Sequence, residues 1–292
     1  MQPFKQGKVT ANGLEFTFLE QGEGPLVLCM HGFPDTARSF RHQLPALAQA
    51  GYRAVAPFMR GYAPTAAAAN GNYQTAALGQ DVLALIEALG AQQAVVIGHD
   101  WGSTAASAAA LFAPEKVSKL ITLALPYGGM GTALLNNWAQ QKRSWYIFFF
   151  QTALADLAVP LEDFAFIERL WRDWSPGWDF PAEEMRALKQ TLAQPGVLAA
   201  ALGYYRCTMN PERHDPLLAP LQARIGREPI QVPTLNIHGA LDGCIGAEFS
   251  QNIDALFPAG LTNRVIADGG HFLHQEQPEQ VNRLILDFLQ GT

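Results

Sequence analysis

The chain has 292 residues, of which 49% are hydrophobic and 16% are charged, so it is long and apolar enough to bury a large core. This composition excludes an intrinsically disordered chain and a small disulfide-stapled scaffold. The 26 acidic residues outnumber the 20 basic ones, and the net charge of −6 excludes the basic surface that nucleic-acid binding needs.

Short apolar segments alternate with helix-length segments along the first part of the chain. The apolar segments are too short for helices and are bounded by Gly or Pro, which favours buried strands. These predicted strands are 26–30, 53–57, 94–98 and 119–125. The predicted helices between them are 40–50, 74–89 and 103–112. The alternation predicts a mostly parallel sheet flanked by helices.

The pattern resumes near the end of the chain, with predicted strands at 232–238 and 262–267 and a helix at 278–289. The segment between the two halves has no β-branched run, and five of the six tryptophans fall between Trp138 and Trp178. An aromatic, helix-rich insertion predicts a lid over the edge where parallel sheets bind ligands. The alternative is that these aromatic side chains only pack a helical subdomain. We predict a core at 1–127 and 226–292 and a helical cap at 128–225.

The three cysteines, Cys29, Cys207 and Cys244, are far apart and show no Cys-x-x-Cys spacing. We therefore expect neither a disulfide framework nor a zinc cage. The first 16 residues contain no apolar leader, and the longest strongly apolar stretch, 145–150, is too short to span a membrane. The predicted location is the cytoplasm, with no membrane or nucleic-acid partner, and a homodimer is compatible with the sequence.

The strongest motif is Gly98-His99-Asp100-Trp101-Gly102, between a predicted buried strand and a small-residue helix. It has the form of a nucleophile elbow, a sharp strand-to-helix turn whose flanking glycines relieve crowding. Asp100 takes the central position, and a carboxylate there can attack carbon and form an ester. The N–H groups and dipole of the helix N-terminus favour its ionised form. The alternative is that Asp100 is only a helix N-cap.

A second turn, His31-Gly32-Phe33-Pro34, follows another predicted strand and is expected to lie beside the elbow. The backbone N–H groups of Phe33 and Trp101 would then face one oxygen and form an oxyanion hole. We expect His31, Pro34 and Trp101 to line the substrate pocket. The alternative for this segment is an ordinary Gly-Pro turn.

Two residues that follow the last predicted strands complete a catalytic set. His271, in a Gly-Gly-His loop, can reach Asp100 as a general base, and Asp242 can orient its imidazole. The chain order of nucleophile, acid and base is the order that α/β-hydrolases use. The alternatives are His274 as the base and Asp242 as a turn residue. No metal-ligand spacing occurs, so we expect no metal and no cofactor besides water.

Taken together, these residues resemble the soluble epoxide hydrolases of the α/β-hydrolase superfamily over essentially the whole chain. The matching pieces are HGFP at 31–34, RGY at 60–62, GHDWG at 98–102, Asp242, GHF at 270–272 and QEQP at 275–278. The resemblance implies an α/β-hydrolase fold with an inserted helical cap. It also implies that Asp100 opens an apolar epoxide, and that water activated by His271 and Asp242 cleaves the ester to a vicinal diol. Ala63-Pro64-Thr65 departs from the family, which commonly has Gly after Arg-Gly-Tyr.

The resemblance also points to two cap tyrosines, because epoxide hydrolases use two lid tyrosines to hold and protonate the epoxide oxygen. The segment WYIFFFQ at 145–151 resembles the first tyrosine motif and points to Tyr146. The segment GYYR at 203–206 resembles the second and points to Tyr205, with Tyr204 as the alternative. A phenol suits this task because it stays protonated at neutral pH. Tyrosines that only place their hydroxyls at a lid surface are the other interpretation.

Four other functions are compared with this one. A haloalkane dehalogenase shares the Asp-Trp-Gly elbow and would hold halide with Trp101, but that family typically has Asn in place of Phe33 and needs no paired lid tyrosines. A fluoroacetate dehalogenase has Arg in place of Trp101, and an esterase would need Ser in place of Asp100. A non-catalytic ligand-binding receptor on the same fold would not need an intact triad.

Overall fold

The computed structural model describes residues 4–128 and 130–291, and its centre is one eight-stranded sheet. The strands are β1 (Lys5–Ala11), β2 (Leu14–Gln21), β3 (Leu26–Met30), β4 (Arg53–Pro57), β5 (Ala94–His99), β6 (Val117–Leu123), β7 (Thr234–Gly239) and β8 (Leu261–Ile266). Their order across the sheet is β1-β2-β4-β3-β5-β6-β7-β8. Strand β2 is antiparallel to both of its neighbours, whereas β3 to β8 are mutually parallel. The predicted mostly parallel sheet is confirmed.

Helices surround this sheet and form the segment between β6 and β7. The α-helices are α1 (Gln43–Gln49), α2 (Thr75–Ala88), α3 (Trp101–Phe112), α4 (Met130–Asn136), α5 (Trp138–Arg143), α6 (Trp145–Phe149), α7 (Ala153–Ala158), α8 (Leu161–Trp174), α9 (Ala182–Leu192), α10 (Val197–Met209), α11 (Ala219–Arg224), α12 (Leu273–Glu276) and α13 (Pro278–Gln290). Short 3₁₀ helices lie at Ala37–Phe40, Pro211–Arg213, Pro216–Leu218, Ala247–Ser250 and Asp254–Leu256. Strands β3 and β5 are buried along their whole length, as expected for a parallel sheet covered on both faces.

Three local features differ from the predicted elements. The strand predicted at 119–125 is β6, which ends earlier because Ala124 has a left-handed φ of 63°. The helix predicted at 40–50 is a 3₁₀ turn followed by α1, since Pro45 lacks an N–H and fits only the first turn of an α-helix. The antiparallel hairpin β1–β2, joined by Asn12-Gly13, is not among the predicted elements.

The segment between β6 and β7 is helical in its described residues, from α4 to α11. The Tyr127 hydroxyl ties its two ends together, because it accepts from the Gly226 N–H at 2.8 Å and donates to the Glu228 carbonyl at 2.8 Å. The cap boundaries at 128 and 225 stay a prediction, and Gly129 lies outside the described residues. In the described part of the chain, every helix is too short or too polar to cross a bilayer.

The parallel strands carry the predicted site residues at one edge of the sheet. The His31–Pro34 turn follows β3, Asp100 follows β5, Asp242 follows β7, and His271 follows β8. Because the carboxyl ends of parallel strands share one edge, four segments that are distant in sequence meet there.

Candidate active site

Asp100 occupies a strained turn between β5 and α3. Its φ is 52°, a left-handed value that costs energy for a residue with a side chain. A Cβ atom at Gly98 would collide with the Gly102 carbonyl, and one at Gly102 would collide with the Met30 carbonyl. The flanking glycines therefore let the turn approach β3 closely, which is the backbone arrangement of a nucleophile elbow.

The Asp100 carboxylate faces the site rather than its own helix. Its Oδ1 accepts a hydrogen bond from the Phe33 N–H at 2.8 Å, and its Oδ2 lies 3.6 Å from Nε2 of His271. Asp100 stands at the N-cap position of α3 but makes no capping hydrogen bond. The Trp101 N–H makes no hydrogen bond to this carboxylate. Of the two N–H groups predicted to form the oxyanion hole, the Phe33 N–H is therefore the one that contacts Asp100 in this structure.

The His271 ring is oriented by a hydrogen bond to Asp242. Its Nδ1 donates to Oδ2 of Asp242 at 3.0 Å, while Oδ1 of Asp242 accepts from the Cys244 and Ile245 N–H groups at 2.7 and 2.8 Å. The hydrogen bond on Nδ1 fixes the ring so that Nε2 points toward Asp100. This Nε2 is buried and makes no hydrogen bond to the described residues, so it is the ring nitrogen placed to exchange a proton with a water molecule beside Asp100.

The protonation states of His271, Asp242 and Asp100 depend on one another. Burial lowers the pKa of His271, but the Asp242 and Asp100 carboxylates outweigh burial and raise the pKa to about 10. Burial likewise opposes ionisation of Asp242, but His271 and His238 hold its pKa well below the usual range. The resting site therefore holds an imidazolium between two carboxyl groups.

Tyr146 of α6 and Tyr205 of α10 lie together over this site. Both side chains are buried, and their rings meet nearly perpendicular with centroids 5.6 Å apart. The Tyr146 hydroxyl lies 3.2 Å from Sγ of Cys244. The Tyr205 hydroxyl lies beside the Trp101 indole N–H, but neither group makes a well-formed hydrogen bond. Burial raises the pKa of both phenols well above 10, so both stay protonated.

The structure distinguishes Tyr205 from its neighbour Tyr204. The Tyr204 hydroxyl donates to the Arg60 carbonyl at 2.8 Å, and its ring packs on Tyr62 and Tyr73. The Tyr205 ring instead contacts Phe33, with centroids 5.2 Å apart. Tyr205 is thus the member of the pair that lies over the Asp100 side of the cap.

The three residues expected to line the pocket have different surroundings. Nδ1 of His31 donates to the Gly32 carbonyl at 2.9 Å and Nε2 accepts from the Met59 N–H at 3.0 Å, so both ring nitrogens are engaged with backbone. Burial lowers the pKa of this histidine to about 4. The Pro34 carbonyl accepts from the Trp171 indole at 2.9 Å. The Trp101 side chain is half-buried and packs on Tyr205, with ring centroids 5.1 Å apart.

Several residues around the triad are not indicated by the sequence motifs. His238 places Nε2 3.3 Å from Oδ2 of Asp242 and Nδ1 2.9 Å from the Ser250 hydroxyl. The Trp174 ring packs on His271 and Tyr146, with centroids 5.2 and 4.8 Å away. His238 is four residues from Asp242 in sequence. In an irregular turn, however, sequence separation alone does not predict which side chains come into contact.

Cys244 is a further residue that the motifs do not indicate. Its Sγ, a carboxylate oxygen of Asp100 and a ring nitrogen of His271 lie within 4.8 Å of one another. All three side chains are buried, and that of Asp100 is the most exposed of them at 7%. This is a donor set that could hold a metal ion.

A second such group consists of Asp35, His99 and His274, whose ligand atoms also lie within 4.8 Å of one another. His274, the competing histidine, packs on His99 with centroids 4.4 Å apart, and neither of its nitrogens has a hydrogen-bond partner. Burial lowers the pKa of His274 well below its ordinary value and raises the pKa of Asp35 to about 8. The ring that approaches Asp100 within 4 Å is that of His271.

A sequence model of the α/β hydrolase fold matches residues 25–278, so the chain belongs to the α/β-hydrolase family. Human epoxide hydrolase 4 is 30% identical over 97% of this chain and 77% of its own length. Epoxide hydrolase B of Mycobacterium tuberculosis is 30% identical over 92% of each chain. Within the family, this chain is a member of the epoxide hydrolases.

Solved structures agree with this assignment. Epoxide hydrolase VrEH1 from Vigna radiata superposes with a TM-score of 0.83 at 28% identity, over 100% of this chain and 99% of the other. The inhibitor complex of Bacillus megaterium epoxide hydrolase gives a TM-score of 0.82 at 25% identity, over 97% and 100% of the two chains. The expected α/β-hydrolase fold is confirmed.

Proposed function

We propose that this protein hydrolyses an apolar epoxide to a vicinal diol, with Asp100 as the nucleophile. The observation that carries this proposal is the position of the Asp100 carboxylate. One of its oxygens is held by the Phe33 N–H at 2.8 Å, and the other lies 3.6 Å from Nε2 of His271. Two protonated phenols, Tyr146 and Tyr205, cover the same site.

In the first half-reaction, Asp100 attacks an epoxide carbon. An Asp–carbon bond forms as the carbon–oxygen bond of the strained ring breaks. The leaving oxygen becomes an alkoxide, which is strongly basic, and the hydroxyls of Tyr146 and Tyr205 are the acids available to hold and protonate it. The product of this step is an alkyl ester of Asp100.

The ester changes the proton affinity of His271. The Asp100 carboxylate is one of the charges that raise the pKa of His271 to about 10 in the resting site. Esterification removes that charge, so the pKa of His271 falls. The imidazolium can then return a proton to the tyrosine that gave one up, which leaves His271 neutral and able to act as a base.

In the second half-reaction, neutral His271 takes a proton from water, and the hydroxide attacks the ester carbonyl of Asp100. The oxyanion that forms is stabilised by the Phe33 N–H, which already faces the carboxylate at 2.8 Å, and we assign the Trp101 N–H as the second donor. Collapse of this intermediate breaks the bond between the Asp100 carbonyl carbon and the alkyl oxygen. That oxygen takes the proton of the hydroxyl added from water and leaves as the diol, so the Asp100 carboxylate and the imidazolium are both restored. Asp242 stabilises that imidazolium from Nδ1.

Two features favour an epoxide over a haloalkane. A halide leaves without needing a proton, so a dehalogenase has no use for paired phenols over the nucleophile. The Phe33 side chain also packs in an aromatic cluster, with its ring centroid 5.5 Å from that of Phe150 and 5.2 Å from that of Tyr205. A halide bound at this position would need a polar hydrogen-bond donor, which a phenylalanine side chain does not supply. A receptor would not need a histidine locked between two carboxyl groups.

The aromatic surroundings of Asp100 support an apolar, aryl-substituted epoxide as the substrate class. The three cysteines are free thiols, which supports a reducing compartment, and we propose the cytoplasm. The homodimer stays a prediction.

The proposal is tested with racemic styrene oxide and, in parallel, a bromoalkane. We expect the purified protein to form the diol and to release no bromide. Asp100→Ala should lower diol formation at least ~10³-fold while the circular dichroism spectrum and Tm stay near those of the parent. Bromide release without diol formation would identify a dehalogenase, and reversible binding without either product would identify a receptor.

A further inference from the structure

The His271 loop, residues 267–272 between β8 and α12, is held at three consecutive backbone N–H groups. The Gly270 N–H donates to Oε2 of Glu276 at 2.8 Å, the His271 N–H donates to the Trp174 carbonyl at 3.0 Å, and the Phe272 N–H donates to Oγ of Ser175 at 3.1 Å. A backbone held at three successive positions has little freedom to rotate. These three acceptors therefore set the direction in which the His271 ring leaves the backbone.

Two of the three acceptors belong to the cap. Trp174 is the last residue of α8 and Ser175 follows it. The last carbonyls of a helix have no partner within the helix, so they can accept hydrogen bonds from other segments. The Trp174 carbonyl accepts from the His271 N–H and also from the Gly243 N–H, both at 3.0 Å. Gly243 follows Asp242, so one carbonyl of the cap joins the two loops that carry the His271–Asp242 pair.

Ser175 and Glu276 join these contacts into a closed chain. The Ser175 hydroxyl donates to Oε1 of Glu276 at 2.6 Å, while Oε2 of Glu276 accepts from the Gly270 N–H. The Ser175 residue is 1% exposed. Burial raises the pKa of Glu276, and the hydrogen bonds from Ser175 and Gly270 oppose that rise. The structure thus keeps a largely buried carboxyl group beside the His271 loop, where its two oxygens contact the loop and the cap.

The loops approach the end of α8 so closely that only glycine fits at the points of contact. A Cβ atom at Gly270 would lie 2.6 Å from Cα of Ser175, and one at Gly243 would lie 2.0 Å from the Asp173 carbonyl oxygen. Such distances are far inside van der Waals contact. The positions of Asp242 and His271 are therefore fixed against the cap as well as by the sheet.

We propose that Ser175 and Glu276 are positioning residues that align His271 for hydrolysis of the Asp100 ester. Neither side chain contacts Asp100 among the hydrogen bonds of the described residues, so both act through the His271 loop. This role rests on the proposed epoxide hydrolysis. The hydrogen-bonded attachment of the loop to the cap does not depend on which reaction the site performs.

The second half-reaction is the step that depends on this alignment. Nε2 of His271 must face both the attacking water and Asp100, whose Oδ2 lies 3.6 Å away, while Nδ1 stays 3.0 Å from Asp242. A displacement of about 1 Å can cost ~10²-fold in rate. The first half-reaction instead uses the Asp100 carboxylate and the hydroxyls of Tyr146 and Tyr205. Loosening of the His271 loop should therefore slow ester hydrolysis much more than ester formation.

The kinetic test measures the two half-reactions separately in Ser175→Ala and Glu276→Ala. Each full-length variant is mixed with styrene oxide in a rapid-quench instrument, and intact-protein mass spectrometry follows the ester on Asp100 as it forms and decays. We expect ester hydrolysis to slow about 10- to 100-fold, with ester formation near the parent rate. The ester should consequently accumulate during turnover in both variants.

Glu276→Gln distinguishes hydrogen bonding from charge. Its carbonyl oxygen can accept from the Gly270 N–H, and its NH₂ group can donate to Ser175. We expect this variant to hydrolyse the ester at nearly the parent rate. A loss as large as that of Glu276→Ala would show that the negative charge is what matters, and this would contradict the positioning role.

Tyr127→Phe is the matched control for Ser175→Ala. The Tyr127 hydroxyl also accepts from one backbone N–H and donates to one oxygen, at Gly226 and Glu228, and both partners lie at the base of the cap. Its loss should destabilise the fold in urea titration about as much as the loss of the Ser175 hydroxyl. It should leave the ratio of ester hydrolysis to ester formation as it is in the parent.

Hydrogen exchange tests the attachment of the loop without any substrate. The exchange of the Gly270, His271 and Phe272 N–H groups is measured by NMR in the parent and in each variant. We expect about 10-fold or faster exchange in Ser175→Ala and Glu276→Ala, and parent-like exchange in Tyr127→Phe and Glu276→Gln. Unchanged exchange in both alanine variants would contradict the attachment, and this readout remains decisive if one of the two variants does not fold.

The outcomes separate this proposal from the proposed function. A parent that forms neither ester nor diol with any epoxide refutes epoxide hydrolysis, whatever the exchange rates are. A parent that turns over, with alanine variants that hydrolyse the ester at the parent rate, refutes the positioning role alone. Equal slowing of both half-reactions in the alanine variants also refutes it, because that result indicates a general displacement of the cap.

Discussion

Tyr205→Phe should slow epoxide opening without destabilising the fold. The Tyr205 side chain is 3% exposed, and its hydroxyl is buried without a well-formed hydrogen bond in the resting site. Removing that hydroxyl therefore breaks no hydrogen bond of the folded state. It does remove one of the two acids that we assign to the leaving oxygen.

The magnitudes follow from the energy of hydrogen bonds. A hydrogen bond to a charged group contributes about 1.5–3 kcal/mol, so losing one to the developing alkoxide should lower the rate of the first half-reaction roughly 10- to 150-fold. A buried hydroxyl without a partner destabilises the fold, so its removal should leave the unfolding free energy unchanged or raise it by about 1 kcal/mol. Tyr146→Phe should slow the reaction similarly, and the double variant should lose about 10²–10⁴-fold.

Tyr204→Phe is the matched control. Its hydroxyl donates to the buried Arg60 carbonyl at 2.8 Å, so its loss should cost about 0.5–1.5 kcal/mol of stability and leave the alkylation rate near that of the parent. The assay combines rapid-quench single-turnover measurement of epoxide consumption with urea unfolding of each variant. The reasoning is refuted if Tyr205→Phe loses stability and keeps its rate, or if Tyr204→Phe loses rate and keeps stability.

Two further predictions concern charged groups. Arg60→Met should lower the unfolding free energy by about 3–5 kcal/mol in urea titration, because it removes the cation paired with the buried Asp81 carboxylate and leaves the Asn12 amide as its only partner among the described residues. The two side chains of the ion pair are 5% and 3% exposed, and a loss below about 1 kcal/mol would contradict this. Asp242→Asn should slow ester hydrolysis by up to ~10⁴-fold. It should also move the acid limb of the pH–rate profile of ester hydrolysis to lower pH. The reason is that the substitution removes the strongest charge that raises the pKa of His271, and burial then lowers that pKa. Single-turnover hydrolysis followed across pH tests this, and an unmoved acid limb would contradict it.

The central part of the sheet and the meeting of the site residues follow from the sequence. The apolar runs at β3 and β4 have Gly or Pro at their ends, so even their boundaries are predicted correctly. The glycines around Asp100 indicate the elbow because no larger residue fits those two positions. Once the strands are known to be parallel, their carboxyl ends must meet, and this brings Asp100, Asp242 and His271 together.

The amino-terminal hairpin has a sequence signal, although it is not among the predicted elements. Leu14, Phe16 and Phe18 alternate with polar residues, and Asn12-Gly13 is a strong turn signal between two strands. Strand β1 itself is mostly exposed, so its sequence carries little hydrophobic pattern.

The roles of Cys244, His238 and Tyr205 depend on tertiary packing. Sequence alone gives no means of knowing that the Cys244 sulfur meets Tyr146, which lies 98 residues away. The direction of a side chain also decides between Tyr204 and Tyr205, since adjacent residues on a helix point about 100° apart. That direction is set by packing of the cap against the core.

The most direct test of the two-step mechanism is to trap the ester on Asp100. His271→Gln keeps the Asp100 carboxylate and both phenols but removes the base that activates water, so it should react once with an epoxide and then stop. Intact-protein mass spectrometry should show one added substrate mass, and digestion should locate it on the peptide that carries Asp100. If His271→Gln forms no covalent species with any epoxide that the parent turns over, Asp100 does not form an ester and the two-step mechanism is wrong.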